Sequence, residues 1–259
     1  MRYSSDQISH LFSEHTTVLL ELDNIFLETV SQAQNLSHDD RAKEYLLHGV
    51  GRRLSVIKRA IQNIFEKFPP DSQGPLDSDV LVDVQLNLHA FVINLCGIFD
   101  NWAWAFVLRH VLGGEMQDRR KIDLFKPAMQ AFLPKVIKDY LTSDIIAAWQ
   151  KEYLKNYRDA LAHRVPLYIP PAVYTPEKVN RYNNLENEKI EALKDRDFLR
   201  FNRASADQEV IGEACFTFQH SHSDGSEPRL ILLHPQVICD GKAVAEFGHL
   251  YLAHWHQHT

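Results

Sequence analysis

Between Asp79 and Leu112 apolar side chains recur on nearly every side of a helix, and a segment of that kind has to be surrounded. A membrane could surround it, but a span needs about 20 mostly apolar residues. The longest apolar stretch, from Phe91 to Leu112, is interrupted by Asn94, Asp100, Asn101 and Arg109. The segment therefore reads as the central helix of a bundle. The rest of the chain must supply the cover, and 259 residues with 45% hydrophobic content are enough to do so.

The covering helices show in the spacing. Ile8, Leu11, Phe12, Leu19, Leu22, Ile25, Phe26 and Val30 recur at steps of three and four, which predicts a helix over 8–34. Ser37 then suits an N-cap, with Asp39 and Asp40 in the first turn at the positive end of the dipole. That second helix runs from Asp40 to Phe68 and stops at Pro69-Pro70. Gly49 and Gly51 within it mark either a close crossing or a bend. Asp77 or Ser78 caps the central helix, and Gly113-Gly114 end it. Pro127 opens a helix reaching Leu141, which Pro134 kinks or splits. Thr142-Ser143-Asp144 caps another from Ile145 to His163, closed by Pro166. Beyond the proline-rich run that follows, Pro176 starts a charged helix covering much of 177–204.

The last fifty residues change character. EACFTFQHS and RLILLHPQVIC read as two strands, with Asp224-Gly225 as a turn signal between them. Asp240-Gly241 marks a further turn before a terminal helix. The expected fold is mainly α: a bundle of about six or seven helices with a small C-terminal β-hairpin. Residues 1–175 form the bundle. Residues 176–259 pack on it, because a two-stranded hairpin is marginal by itself.

Charge and cysteines narrow the function classes. The formal charge is −6, whereas general nucleic-acid binders carry a basic excess. Any RNA contact must be local. Residues 151–206 are locally basic, with 11 Lys and Arg against 8 Asp and Glu. Cys96, Cys215 and Cys239 are widely spaced and contain no CxxC pair, so neither a zinc ribbon nor a disulfide framework is indicated. Reduced thiols, no apolar leader in MRYSSDQISHLF and no uninterrupted membrane span together predict a cytoplasmic protein. GxxxxGKS, GxGxxG, HExxH and GxSxG are all missing.

One segment carries chemistry. Tyr157-Arg158-Asp159-Ala160-Leu161-Ala162-His163-Arg164-Val165-Pro166 sets an Arg, a polar residue, three further residues and a His at a helix end. This pattern resembles the motif of the HEPN superfamily (higher eukaryotes and prokaryotes nucleotide-binding), and the resemblance extends over the helices of about 80–164. It implies a helical bundle and a metal-independent endoribonuclease, often a toxin or a phage-defence effector. Arg158, His163 and Asp159 are then the catalytic candidates, with Arg164, Asn94 and Asn101 as substrate contacts. The resemblance also implies a homodimer whose two motifs share one cleft, no cofactor and no metal, RNA or a nucleotide as ligand, and an antitoxin-like protein as a further partner. Other HEPN members bind nucleotides or serve as non-catalytic interaction modules, and those readings stay open here.

The residue types suit the chemistry. Cleavage of RNA without a metal needs the 2′-hydroxyl deprotonated, the phosphorane charge stabilised and the leaving oxygen protonated. A His acts as acid or base near neutral pH, and an Arg fork fits phosphate oxygens. Yet on an ideal helix Arg158 and His163 lie about 140° apart. Either the long Arg side chain or an unwound last turn must bring them together. Asp159 and His163 share a face, so Asp159 can fix the His tautomer. The plain alternative is that Arg158 and His163 only cap carbonyls at the helix end.

Other signals are weaker. Asn87, Asn94 and Asn101 are seven apart and form one stripe along the central helix, drifting about 20° per heptad. Three buried amides need partners, and a satisfied core network is the simplest supply. Asp100 can face the motif from that same helix. His220 and His222 alternate on a strand and point to one side as metal ligands do, but no third ligand is evident and surface histidines are the simpler reading. His249, His254, His256 and His258 cluster near the C-terminus, where they can bind a metal adventitiously.

Overall fold

Ser4 opens the first helix with a capping box. Its hydroxyl accepts from the Gln7 N–H at 3.3 Å, and the Gln7 side chain accepts from the Ser4 N–H at 2.8 Å. The computed structural model describes residues 2–36, 40–110, 112–220 and 229–256. Helix α1 (Ser5–Gln34) buries Leu11, Val18, Leu22 and Ile25. The expected caps Ser37 and Asp39 lie outside the described residues. Asp40 is itself the cap of α2 (Arg41–Glu44), accepting from the Ala42 N–H at 2.8 Å. From α2 the chain continues through a π-helical turn (Tyr45–Gly51) into α3 (Arg52–Lys67). A Cβ on Gly49 would stand 2.7 Å from Asn101 Cγ, so the bend and the close crossing fall at one place.

Asp77 caps the central helix α4 (Ser78–Arg109), its carboxylate accepting from the Asp79 N–H at 2.9 Å. The helix ends at His110, short of Gly113-Gly114. Among the described residues the left-handed region is occupied by Gly212 and Arg196, so the expected glycine stop is not used. α4 is long and apolar enough to cross a bilayer, and 61% of its most apolar window is buried by its neighbours. α3 lies along it, and the aromatic centre forms where Phe99 and Trp102 meet Phe247 at centroid distances of 5.2 and 5.0 Å.

Pro127 starts α5 (Pro127–Gln130), and Pro134 separates it from α6 (Lys135–Leu141), as a residue that cannot donate to the preceding turn should. Next come α7 (Asp144–Ala148), a π-helical turn (Trp149–Leu154) and α8 (Lys155–His163) in one continuous run. Ser143 is the N-cap residue, but its hydroxyl donates to the Tyr140 carbonyl and makes no capping bond.

The expected single helix over 177–204 is two. α9 (Pro176–Asp195) stops at Arg196, which sits at φ 56°, and α10 (Phe198–Glu209) turns back along it. Asp197 caps α10 through the Arg200 N–H at 3.0 Å. Arg200 in turn reaches Glu188 at 3.1 Å and Glu191 at 3.4 Å across the pair. A left-handed non-glycine residue costs about 1–2 kcal/mol. Arg196→Gly is expected to stabilise this arm by about 1 kcal/mol, read as slower amide hydrogen exchange in α9 and α10.

Two strands, β1 (Thr217–His220) and β2 (Arg229–Leu232), pair antiparallel with Phe218 opposite Ile231. The expected second strand, however, ends early. Leu233 begins α11 (Leu233–His256), so Asp240-Gly241 lies inside a helix and makes no turn. Pro235 is tolerated because it falls in the first turn, where a missing N–H has no partner to lose. His234, fully buried, faces the Phe68 carbonyl at 2.6 Å. Burial lowers its pKa to about 4, so the neutral ring donates there through Nε2.

α11 belongs to the bundle core. Gly241 meets Val18 and Gly248 meets Ile25, so α1 and α11 run side by side in the same direction. Tyr251 donates to the Trp102 carbonyl at 3.2 Å from the same helix. Taking each π-interrupted run as one, the described residues hold nine helices and the small hairpin, a mainly α bundle. The surplus over the expectation comes from the breaks at Pro134 and Arg196.

Candidate functional site

The motif helix is seated by its apolar face. Ile146, Leu154, Tyr157 and Ala160 are buried, and Trp149 Nε1 donates to Asp240 Oδ1 at 2.7 Å. The π-helical turn between α7 and α8 is the irregular part. Such turns concentrate at functional sites because the extra residue re-aims the side chains around it. Here it leaves Gln150 and Lys151 facing a cleft of about 460 Å³.

Three elements wall that cleft. α4 supplies Cys96, Phe99 and Asp100, the loop before α5 supplies Asp123, Phe125 and Lys126, and the motif helix supplies Lys151, Leu154, Lys155 and Arg158. Four cations thus face two carboxylates. Cys96 and Phe99 form an apolar floor, where the thiol lies 3.6 Å from the Leu154 carbonyl and burial pushes its pKa up to about 12. It is no nucleophile. The Asp100 carboxyl is also raised, first by burial and then by the neighbouring Asp123, against the pull of Arg158, Arg53 and Lys126. A dianionic phosphate entering such a cleft would compete with these two carboxylates for the cations.

Of the residues singled out in the sequence, Arg158 lines this cleft, and Asp100 faces it from α4 as expected. Its guanidinium also holds Asp159, with Nε and one terminal nitrogen each 2.8 Å from Oδ1. The Arg158 side chain remains 46% exposed. Asp159 is therefore engaged by Arg158, where orientation of the His163 ring was expected. His163 is exposed at the last position of α8 and makes no side-chain hydrogen bond or ion pair among the described residues. It neither caps a carbonyl nor lies buried. The helix does not unwind before it: the Arg164 N–H still bonds the Ala160 carbonyl at 3.0 Å, and only then does the chain turn extended. Within one chain His163 stays outside the walls of the Arg158 cleft. Arg164 is exposed beside it.

The asparagine stripe lies elsewhere. Arg53 on α3 donates to Asn101 Oδ1 at 2.8 Å and to Asn94 Oδ1 at 3.0 Å, while Asn63 donates to Asn87 at 2.8 Å. The guanidinium of Arg53 rests against Gly97, where a Cβ would displace it. Asn94 and Asn101, expected as substrate contacts, form a helix-to-helix network with these oxygens occupied.

Sequence reading missed most of the cleft. Lys151, Lys155 and Arg158 stand at steps of four and three, a cationic stripe on one helical face that was legible. Asp123 and Lys126 come from a loop, and no spacing rule could have brought them in. Of the histidines, His249 pairs with Glu21 at 2.7 Å, while His222, His258 and the side chains of His220 and His256 lie outside the described residues. Among the described residues no three His, Cys, Asp or Glu groups converge on one point. No protein-family model matches the chain, and neither a curated protein nor a solved structure matches it.

Proposed function

We propose that the chain is a HEPN-like endoribonuclease that grips an RNA phosphate in the Arg158 cleft and cleaves without a metal. The observation that carries this reading is the cleft itself. The Arg of the motif shares an open wall with Lys126, Lys151 and Lys155, next to a π-helical turn. Arg158 and the lysines would neutralise the phosphorane as charge builds on its oxygens. The 2′-oxygen attacks phosphorus, the bond to the 5′-oxygen breaks, and a cyclic phosphate remains. The 2′-hydroxyl proton passes to one His163, and a second His163 gives a proton to the 5′-oxygen. Since His163 does not line the Arg158 cleft within one chain, this reading requires a dimer that merges the two motifs into one cleft reached by both His163 side chains. A cytoplasmic toxin or phage-defence role with an antitoxin-like partner goes with it.

The test is cleavage of total RNA without added metal, with end-group analysis, by wild type, His163→Ala and Arg158→Ala. The expected products carry 2′,3′-cyclic phosphate, and each variant should lose about 100-fold or more in rate with its circular dichroism unchanged. Wild-type rates in both variants would overturn the assignment. A second reading is favoured by the separation of Arg158 from His163 in one chain: a nucleotide-binding interaction module. In that case wild type cleaves nothing, yet a nucleotide raises its melting temperature and Lys155→Ala removes the effect.

A further inference from the structure

At the far end of α4, two histidines from different elements meet. His110 is the C-cap of α4, and His254 stands near the end of α11. Both are half-buried. Their rings lie 5.4 Å apart, and both pack on Phe106, at 4.3 and 5.9 Å between centroids. The two Nε2 atoms are 3.4 Å apart. That is long for a hydrogen bond from nitrogen, which prefers about 2.9–3.0 Å. Two imidazole nitrogens held about 2.05 Å from one tetrahedral zinc ion stand about 3.3 Å apart. The pair is a long hydrogen bond whose spacing also fits the bite of a metal ion.

We propose that His110 and His254 form a two-histidine site for a borderline divalent transition metal, zinc foremost. Neutral imidazole is the ligand form, and imidazole nitrogen suits zinc, copper and nickel over magnesium or calcium. No third His, Cys, Asp or Glu joins the pair among the described residues. The remaining coordination positions face a cleft of about 560 Å³ walled by Phe132, Leu133 and Pro134, where water can enter. Two neutral ligands and water make a micromolar, exchangeable site. An ion there ties the end of the central helix to the end of the terminal one. Asp100 is ten residues back along α4, or about 15 Å of helix rise, so the metal takes no part in the Arg158 cleft.

The experiment is calorimetric titration of the full chain with zinc after chelator treatment. It compares wild type, His110→Gln and the double variant His256→Ala/His258→Ala, each checked for folding without metal. Wild type should bind one ion at micromolar level, and His110→Gln should weaken it by about tenfold or more. Retention by the double variant makes the pair sufficient, and weakening there as well as in His110→Gln adds a tail histidine as a further ligand. Binding that His110→Gln leaves intact, or no binding tighter than millimolar, overturns the site. Paramagnetic resonance of a bound copper(II) ion needs no variant. Coupling to two imidazole nitrogens or more supports the pair, and coupling to one or none overturns it.

Discussion

Asp240→Asn is expected to gain stability over the wild type by an amount that grows about 2–3 kcal/mol between pH 5 and pH 8. Asp240 is 2% exposed, and its Oδ1 accepts from Trp149 Nε1 and Gln236 Nε2, both at 2.7 Å. These donors favour the carboxylate, but burial outweighs them and pushes the pKa up to about 7. The unfolded chain loses this proton near pH 3.9. Between that value and about 7 the folded chain holds a proton that the unfolded one has released, so stability falls as pH rises through the window. Asparagine keeps an acceptor for both donors and carries no charge to desolvate. Any constant cost of its amide appears equally at both pH values and cancels in the comparison. Urea unfolding of both proteins at pH 5 and pH 8 gives the result, and a gap that does not change with pH would remove the buried charge from the account. Because Trp149 opens the π-helical turn of the Arg158 cleft, Asp240→Leu, which deletes the acceptor, should loosen that wall too.

The helices were legible because an apolar face repeats at a fixed period whatever it packs against. The same period exposes the largest misreading. Leu233, Val237, Asp240, Val244, Phe247, Tyr251 and Trp255 advance by fours and threes through the Asp240-Gly241 pair. The local turn signal masked a helical stripe whose one polar member is bonded to Trp149. The break at Arg196 carried no glycine to announce it, only the cap Asp197 two residues after Asp195. Asn94 and Asn101 were correctly seen to need partners, but that Arg53 would be the partner depends on how α3 lies along α4, which no spacing within one helix contains. The candidate site divides the same way. The stripe of Lys151, Lys155 and Arg158 belongs to one helix and could be read, and Asp100 was expected to face the motif from α4, whereas the closure by Asp123 and Lys126 is tertiary.

Gly241→Val should cost about 3 kcal/mol, at the upper end of what overpacking a core brings. A Cβ at Gly241 would already stand 2.8 Å from Val18 Cγ2 and 3.2 Å from Ile61 Cδ1. All three residues lie in the seam where α1, α3 and α11 converge, and Val18 and Ile61 have no exposed surface into which to retreat. Val18 is β-branched, with one strongly preferred rotamer in a helix, so the backbone of α1 or α11 has to move instead. One heptad on, Gly248 meets Ile25 in the same way, with a Cβ 2.9 Å from Cγ2. Gly248→Val should therefore destabilise as well, and the two together should separate the parallel pair. Helix propensity acts in the other direction, since valine is the better helix former by a few tenths of a kcal/mol. Loss of stability therefore measures the crossing itself. Gly74→Val, where a Cβ meets nothing within 4 Å, is the comparison and should cost less than about 1 kcal/mol. Equal urea midpoints for Gly241→Val and Gly74→Val would mean that α1 and α11 do not meet at these glycines. The Asp240-Gly241 pair would then be open to the turn its residues suggest.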